Sequence, residues 1–309
     1  ISTIVQSGII NTFDISKPVS LGEQIKKYGK NATNLVVRLF DEDSSRFTDI
    51  LVSKFYCEQV KDAAKIVAKA IKAEKIIFLG KKNSLIADNF INSEDENICV
   101  KKIDTNMIST LLKRELIISC NKLKKSDSVK LNKNDFFIDS STLFEVYKSV
   151  LEGIPCVTKN VHFSGNSLTA SCFLNVRIGQ TLGDIVKQIG GFSKQPAKII
   201  INGETYGNTV SSLDVPITKY VKSVAFISAE KKLDTISYSC INCGCCRTVC
   251  PVGLSPDLLY NSVVNNSKIS DGYIKSSLLC TECGLCNANC KSRLPLFQVI
   301  SVLKKQIEK

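Results

Sequence analysis

Cys240-x-x-Cys243-x-x-Cys246-x-x-x-Cys250-Pro251 is followed, forty positions on, by Cys280-x-x-Cys283-x-x-Cys286-x-x-x-Cys290. One cysteine code is written twice, with the spacing of loops that hold [4Fe–4S] clusters. Three cysteines two residues apart wrap a short loop and offer three thiolates to one cubane. The fourth, on a diverging segment, serves the other cubane. This reading assigns Cys240, Cys243, Cys246 and Cys290 to a first cluster, and Cys280, Cys283, Cys286 and Cys250 to a second. Gly244 and Gly284 follow the second cysteine of each run. A glycine there lets backbone N–H groups approach the sulfurs, and such hydrogen bonds tune the potential. Zinc suits the pattern less well, because zinc sites draw on two separated Cys pairs. Structural disulfides need an oxidising compartment, of which the sequence gives no sign. Cys245 lies inside the first run but off its spacing and reads as a spectator.

Around the runs, residues 236–309 read as a helix-rich module. The 29 residues between the runs exceed what a minimal ferredoxin loop requires. Ser255-Pro256-Asp257 combines a cap, a first-turn proline and a first-turn acid. A last helix carries Leu296, Val299, Ile300 and Leu303 on one face.

Residues 156–229 read differently. Strands are expected at Val157–Phe163, Phe173–Val176, Ile199–Ile201 and Val221–Ile227, with turns at Gly165-Asn166 and Asn202-Gly203. A short helix with Leu182, Ile185, Val186 and Ile189 ends at Gly190-Gly191. This order suggests a small α+β, grasp-like module. Residues 1–155 alternate strand and helix signals. Strands are expected at Leu35–Leu39, Ile76–Gly80, Ile98–Ile103, Leu116–Ile118 and Phe136–Ile138. Val60, Ala63, Ala64, Val67 and Ile71 form one helical stripe; Leu143, Val146, Tyr147 and Val150 form another behind a capping cluster at Asp139-Ser140-Ser141. The alternation argues for an α/β layer on a largely parallel sheet.

The chain has 309 residues, 44% of them hydrophobic, enough for two or three cored domains. No apolar run approaches the roughly 20 residues of a membrane span, and Ile1-Ser2-Thr3-Ile4-Val5 has no signal-peptide character. A reduced, cytoplasmic setting fits both that and fourteen cysteines without a disulfide pattern. Cys57, Cys99, Cys120, Cys156 and Cys172 read as small buried hydrophobes, and His162 as structural. The net charge is +12, but the lysines are dispersed and form no nucleic-acid-binding motif. A positive surface suits an acidic electron carrier or an anionic membrane face.

In this order of modules the chain resembles the RnfC family, the C subunits of Rnf electron-transport complexes. Its soluble relatives include proline-reductase-associated electron-transfer proteins and the cobalamin reductases of propanediol use. The cysteine runs carry the resemblance most specifically. Val161-His162-Phe163-Ser164-Gly165, Ile178-Gly179-Gln180-Thr181, Gly190-Gly191-Phe192, Val215-Pro216-Ile217-Thr218-Lys219 and Gly203-Glu204-Thr205-Tyr206-Gly207 add to it. It implies a multidomain α/β and α+β fold. Residues 1–155 would be a degenerate Rossmann-like flavin/NADH-type domain, 156–229 a β-grasp (SLBB) domain, and 236–309 a two-[4Fe–4S] ferredoxin domain.

The departures bear on function. Family members that bind FMN and NADH carry a glycine-rich segment with a Gly-Phe-Pro-Thr element. Here Gly8, Gly22 and Gly29 are scattered. The family's Glu-x-Glu-Pro pattern is replaced by Asp41-Glu42-Asp43-Ser44-Ser45, which reads as a polar loop. Gly80-Lys81-Lys82 reads as a plain loop rather than a phosphate site. The barrel-like N-terminal segment of longer members has no counterpart. No FMN or NADH residue is therefore transferred. Lys291 and Arg293 follow Cys290 where the first run has Pro251, placing cations near the first cluster.

The expected function is an iron–sulfur relay. It would pass single electrons through two clusters to or from a redox protein, a flavoprotein or ferredoxin, within an Rnf-type complex or a soluble reductase system. Association with a membrane would be peripheral. A self-contained FMN-dependent NADH dehydrogenase and a non-redox docking scaffold are the alternatives. The missing glycine-rich segment argues against the first and the intact cysteines against the second.

Overall fold

The computed structural model describes residues 1–14, 19–28, 32–43, 45–91, 95–104, 113–121, 130–205, 207–229 and 237–307. Gly29, Ser44, Tyr206 and residue 236 lie outside them. The chain forms two compact units, Ile1–Ala229 and Glu230–Lys309.

The first unit opens with α1 (Ser2–Gln6), the antiparallel pair β1 (Ile10–Asn11) and β2 (Val19–Ser20), and α2 (Leu21–Tyr28). Next come β3 (Asn34–Arg38), α3 (Thr48–Phe55), α4 (Cys57–Ile71), β4 (Lys75–Lys81), β5 (Ile98–Ile103), α5 (Lys113–Asn121), β6 (Phe136–Asp139) and α6 (Ser140–Leu151). The four longer strands of this stretch pair in parallel in the order β5-β4-β3-β6. A parallel sheet is covered on both faces, so its strands are apolar throughout. Leu35, Val37, Ile76 and Phe78 pack with α4 and α6 on one side; Val36, Ile77 and Leu79 pack with Leu116 and Cys120 of α5 on the other. The α4 stripe of Val60, Ala63, Ala64, Val67 and Ile71 is wholly buried. Each Val or Ile so buried stabilises the fold by roughly 1.5–3 kcal/mol. Leu116–Ile118, expected as a strand, is helical. Three consecutive apolar residues carry no period of their own, and the i, i+4 pair Leu116 and Cys120 supplies the buried face.

β7 (Thr158–Ser164), β8 (Cys172–Arg177), α7 (Leu182–Gln188), β9 (Pro196–Ile201), β10 (Asn208–Val210) and β11 (Ser223–Ser228) make a second, mixed sheet. Its order is β10-β9-β11-β7-β8, with β7 and β11 parallel and the remaining pairs antiparallel. Leu182, Ile185 and Val186 of α7 pack on its core with Val161, Phe163 and Phe226. The Thr181 side chain caps α7 by accepting from the Asp184 N–H. Gly165 closes β7 with φ +111°, and a Cβ there would sit 2.1 Å from the Phe226 carbonyl oxygen. The mixed α/β architecture with a parallel sheet is as expected.

The second unit contains α8 (Cys245–Thr248), α9 (Pro256–Val264), α10 (Asp271–Lys275), α11 (Leu285–Ala288) and α12 (Leu296–Ile307), and no strand among its described residues. Ser255 precedes α9, but its side chain makes no capping hydrogen bond. Pro256 at the first position already lacks one N–H that a cap would satisfy.

Candidate metal centres

The forty-residue repeat is structural as well as textual. Each run turns through two left-handed residues, Asn242 (φ 53°) and Gly244 (φ 73°) in the first, Glu282 (φ 56°) and Gly284 (φ 69°) in the second. Each then enters a one-turn helix, α8 or α11, and a longer one, α9 or α12. The left-handed turns fold the chain back on itself, so cysteines three apart converge on one side.

Two cavities result. Cys240, Cys243, Cys246 and Cys290 line the first, with Asp257, Ser292, Leu294 and Leu296. Cys250, Cys280, Cys283 and Cys286 line the second, with Val252, Leu254, Pro256 and Phe297. Each cavity thus takes three cysteines from one run and the last cysteine of the other. Cys245 lines neither. Among the described residues, no three His, Cys, Asp or Glu side chains converge on a point fit for a single ion.

The sulfurs already receive backbone donors. The Leu254 N–H donates to Cys250 Sγ at 3.2 Å and, at the equivalent position, the Leu294 N–H to Cys290 Sγ at 3.4 Å. The Glu282 N–H donates to Cys280 Sγ at 3.4 Å. Burial pushes the Cys246 thiol up to about 11 and the Cys286 thiol up to about 12. Such thiols keep their protons at neutral pH and become thiolate ligands only opposite a positive centre. The donor set is soft and fourfold in each cavity, which fits an iron–sulfur cluster.

Two lining residues could not be found from the cysteine spacing. Asp257, which the sequence marks only as a first-turn acid, lies in the first cavity and is gripped by Arg247, with Nε at 2.8 Å and Nη2 at 2.5 Å. Its repeat equivalent is Phe297, in the second cavity. Ser292 similarly stands opposite Val252. Aligning the two runs at forty residues exposes both differences.

The first unit has a crevice of its own. In open α/β sheets ligands bind beyond the carboxyl ends of the strands, where the strand order reverses. Here that place is between β3 and β6. It is filled by charge. Lys222, just before β11, is fully buried and donates to Asp49 Oδ2 at 2.7 Å and Asp139 Oδ2 at 2.8 Å. Asp139 caps α6, accepting from the Thr142 N–H at 2.6 Å. Asp49 Oδ1 accepts from the Ser141 hydroxyl at 2.5 Å and its N–H at 3.2 Å. The donors at the start of α6, which could otherwise face an anionic ligand, are engaged by the chain's own carboxylates. Arg38 pairs with Glu42 at 3.0 Å, and Arg46 approaches Asp41 at 3.6 Å.

The polar loop expected at Asp41–Asp43 is a loop, but all three residues are buried. Arg38 and Arg46 supply counter-charge, and the N–H groups of Asp49, Ile50 and Thr205 bond Asp41 and Asp43. Burial, then the neighbouring Asp49, push Asp41 up to about 6. Burial alone would also raise Asp139, but Lys222 and Arg38 hold it well below the usual carboxylate range. Lys81 ends β4 and reaches over the Phe40 ring at 5.7 Å. Cys57, Cys99, Cys120, Cys156 and Cys172 all pack in or against apolar clusters. His162 is buried edge-on to Phe47.

No protein-family model matches the chain. Curated relatives match part of it. The C subunit of the proton-translocating ferredoxin:NAD(+) oxidoreductase complex of Clostridium ljungdahlii is 34% identical over 118 residues, 38% of this chain and 26% of the relative. The C subunit of the ion-translocating oxidoreductase complex of Rhodobacter capsulatus is 29% identical over 116 residues, 38% of this chain and 22% of the relative. That of Yersinia enterocolitica is 32% identical over 120 residues, 38% of this chain and 17% of the relative. The match spans about a quarter or less of these relatives' length. Crystal structures of NAD+-reducing [NiFe]-hydrogenase in H2-reduced and air-oxidised states share the fold. The TM-score is 0.62 for each, with 13% and 12% identity, over 98% and 99% of this chain and 59% and 62% of theirs.

Together these define the class, a mixed α/β fold that is similar over part of its length to subunits of ion-translocating oxidoreductase complexes. Within it the chain is RnfC-like, related over the matched part to the C subunits of ion-translocating oxidoreductase complexes. Among the described residues, no helix is long and apolar enough to cross a membrane.

Proposed function

We propose that the chain relays single electrons through two [4Fe–4S] clusters. Cys240, Cys243, Cys246 and Cys290 hold the first, and Cys250, Cys280, Cys283 and Cys286 the second. The carrying observation is the sorting of eight cysteines into two four-thiol cavities, each completed by the other run. Bound there, the clusters supply one-electron transfer. The chain's own part is to hold them close. Cys250 and Cys290 tie the halves together, backbone N–H groups at Leu254, Glu282 and Leu294 bond the sulfurs, and Leu254, Leu294 and Leu296 limit water. In this reading 236–309 is the ferredoxin domain, and 1–155 and 156–229 are flavin-type and β-grasp (SLBB) domains kept as structure.

The chain works as a subunit beside a redox protein, a flavoprotein or ferredoxin, in a multisubunit complex on the cytoplasmic side, with peripheral membrane contact through partners. It holds neither FMN nor NADH in the β3/β6 crevice, because Asp49, Asp139 and Lys222 take the donors and the space. Cys290→Ser tests the crossed assignment. It should cost about four of about eight irons and leave the cluster of Cys280, Cys283 and Cys286. Loss of that cluster instead would refute the pairing.

A further inference from the structure

The repeat lets the two cavities be compared residue by residue, and their rims differ in kind. In the first run Ile241, Asn242 and Cys243 are exposed, Ile241 by 64%. In the second run their equivalents are covered more, Thr281 and Glu282 half-buried and Cys283 buried. One cause is visible in α12. Glu282, the equivalent of Asn242, accepts from Ser301 Oγ at 3.2 Å and Lys304 Nζ at 3.4 Å. Lys304 also donates to the Cys280 carbonyl at 3.1 Å. The first run has no such clasp, because α9 ends at Val264, the equivalent of Lys304.

The charge differs too. After Cys290 the chain alternates: Ser292 turns into the first cavity, while Lys291 and Arg293 are exposed. The Tyr238 N–H donates to the Ser292 carbonyl at 3.0 Å, so Tyr238, 61% exposed, lies across from the residue between the two cations. At the second rim Pro251 and Gly253 stand where Lys291 and Arg293 do. Leu279 is exposed there, and Lys304, which reaches the neighbouring Cys280 carbonyl, is half-buried and paired with Glu282.

We infer that Tyr238, Ile241, Lys291 and Arg293 form the docking face for an acidic redox protein, which exchanges electrons with this chain at the first cavity. The inference rests on the reading that this cavity holds a cluster. Two exposed apolar side chains supply contact, and the cations choose and steer a negative partner. A weak, transient encounter needs little more, since electron-transfer interfaces are small. One electron leaves the partner's reduced centre and is taken up by the oxidised cluster, or the reverse, with no bond made or broken.

The test uses the full cluster-loaded chain and, as probe, a dithionite-reduced acidic two-cluster ferredoxin, mixed anaerobically in a stopped-flow instrument. The wild-type second-order rate should fall steeply with salt. Lys291→Glu with Arg293→Glu should lower it at least roughly tenfold at low salt, within the range of electrostatic steering. Leu279→Glu at the second rim should leave it unchanged. Iron content and visible absorption of each variant separate lost docking from lost clusters. An unchanged rate in the double variant with full iron, or equal slowing by Leu279→Glu, overturns the docking face alone. Absence of iron in the wild type overturns the cluster reading beneath it.

Discussion

Replacing Lys222 by Met tests whether charge closes the crevice of the first unit. Its ammonium, without solvent exposure, lies 2.7 Å from Asp49 and 2.8 Å from Asp139. Removing one partner of a buried ion pair leaves uncompensated charge and costs about 3–5 kcal/mol. Here two carboxylates are stranded, so the upper part of that range applies. Both also fix the start of α6 through Thr142 and Ser141. For a unit spanning Ile1–Ala229, each kcal/mol moves Tm by about 2–4 °C, so the loss should be about 10–20 °C. Thermal unfolding followed by far-ultraviolet circular dichroism reads it. The triple change Lys222→Met, Asp49→Asn, Asp139→Asn should recover a good part of the loss, because no buried charge is then left alone. A Tm within about 2 °C of wild type for Lys222→Met would refute the reasoning, as would a triple variant no more stable than the single.

Other outcomes follow from the same geometry. The folded Asp139 carboxyl is held below its unfolded value, so its contribution is present above about pH 4 and is lost as pH falls further. Acid unfolding of Asp139→Asn should therefore be less steep with pH than that of wild type; equal slopes would contradict this. Gly165→Ala puts a Cβ 2.1 Å from the Phe226 carbonyl at φ +111° and should cost at least about 1–3 kcal/mol, measured by urea titration. Asp257→Asn removes a negative charge from the first cavity alone. It should raise that cluster's potential, by about 59 mV if the reduction equilibrium moves tenfold. The second cluster, lined by Phe297 instead, should not move in the same redox titration. A shift in both or neither would argue against that role.

What could be read from the chain was local. The α4 stripe repeats every three to four residues within one helix, and Asp139-Ser140-Ser141 caps the very helix it adjoins. The cysteine code needs only counting. What could not be read depends on residues far apart. Lys222 meets Asp49 across 173 positions, so nothing near Asp41–Asp43 foretold that an acidic stretch would be interred rather than solvated. Leu116–Ile118 has no period in three residues and became helical because the sheet offered a face to cover. Asp257 carries two signals at once, first-turn acid and repeat position. Only the forty-residue alignment with Phe297 separates them.

The central claim, two clusters in two four-cysteine cavities, meets its most direct test in anaerobic iron and sulfide analysis with EPR of the reduced protein. The account expects about eight irons and eight sulfides per chain, with two magnetically interacting signals. Stoichiometric zinc without sulfide, or a single isolated cluster in the wild-type chain, would contradict it.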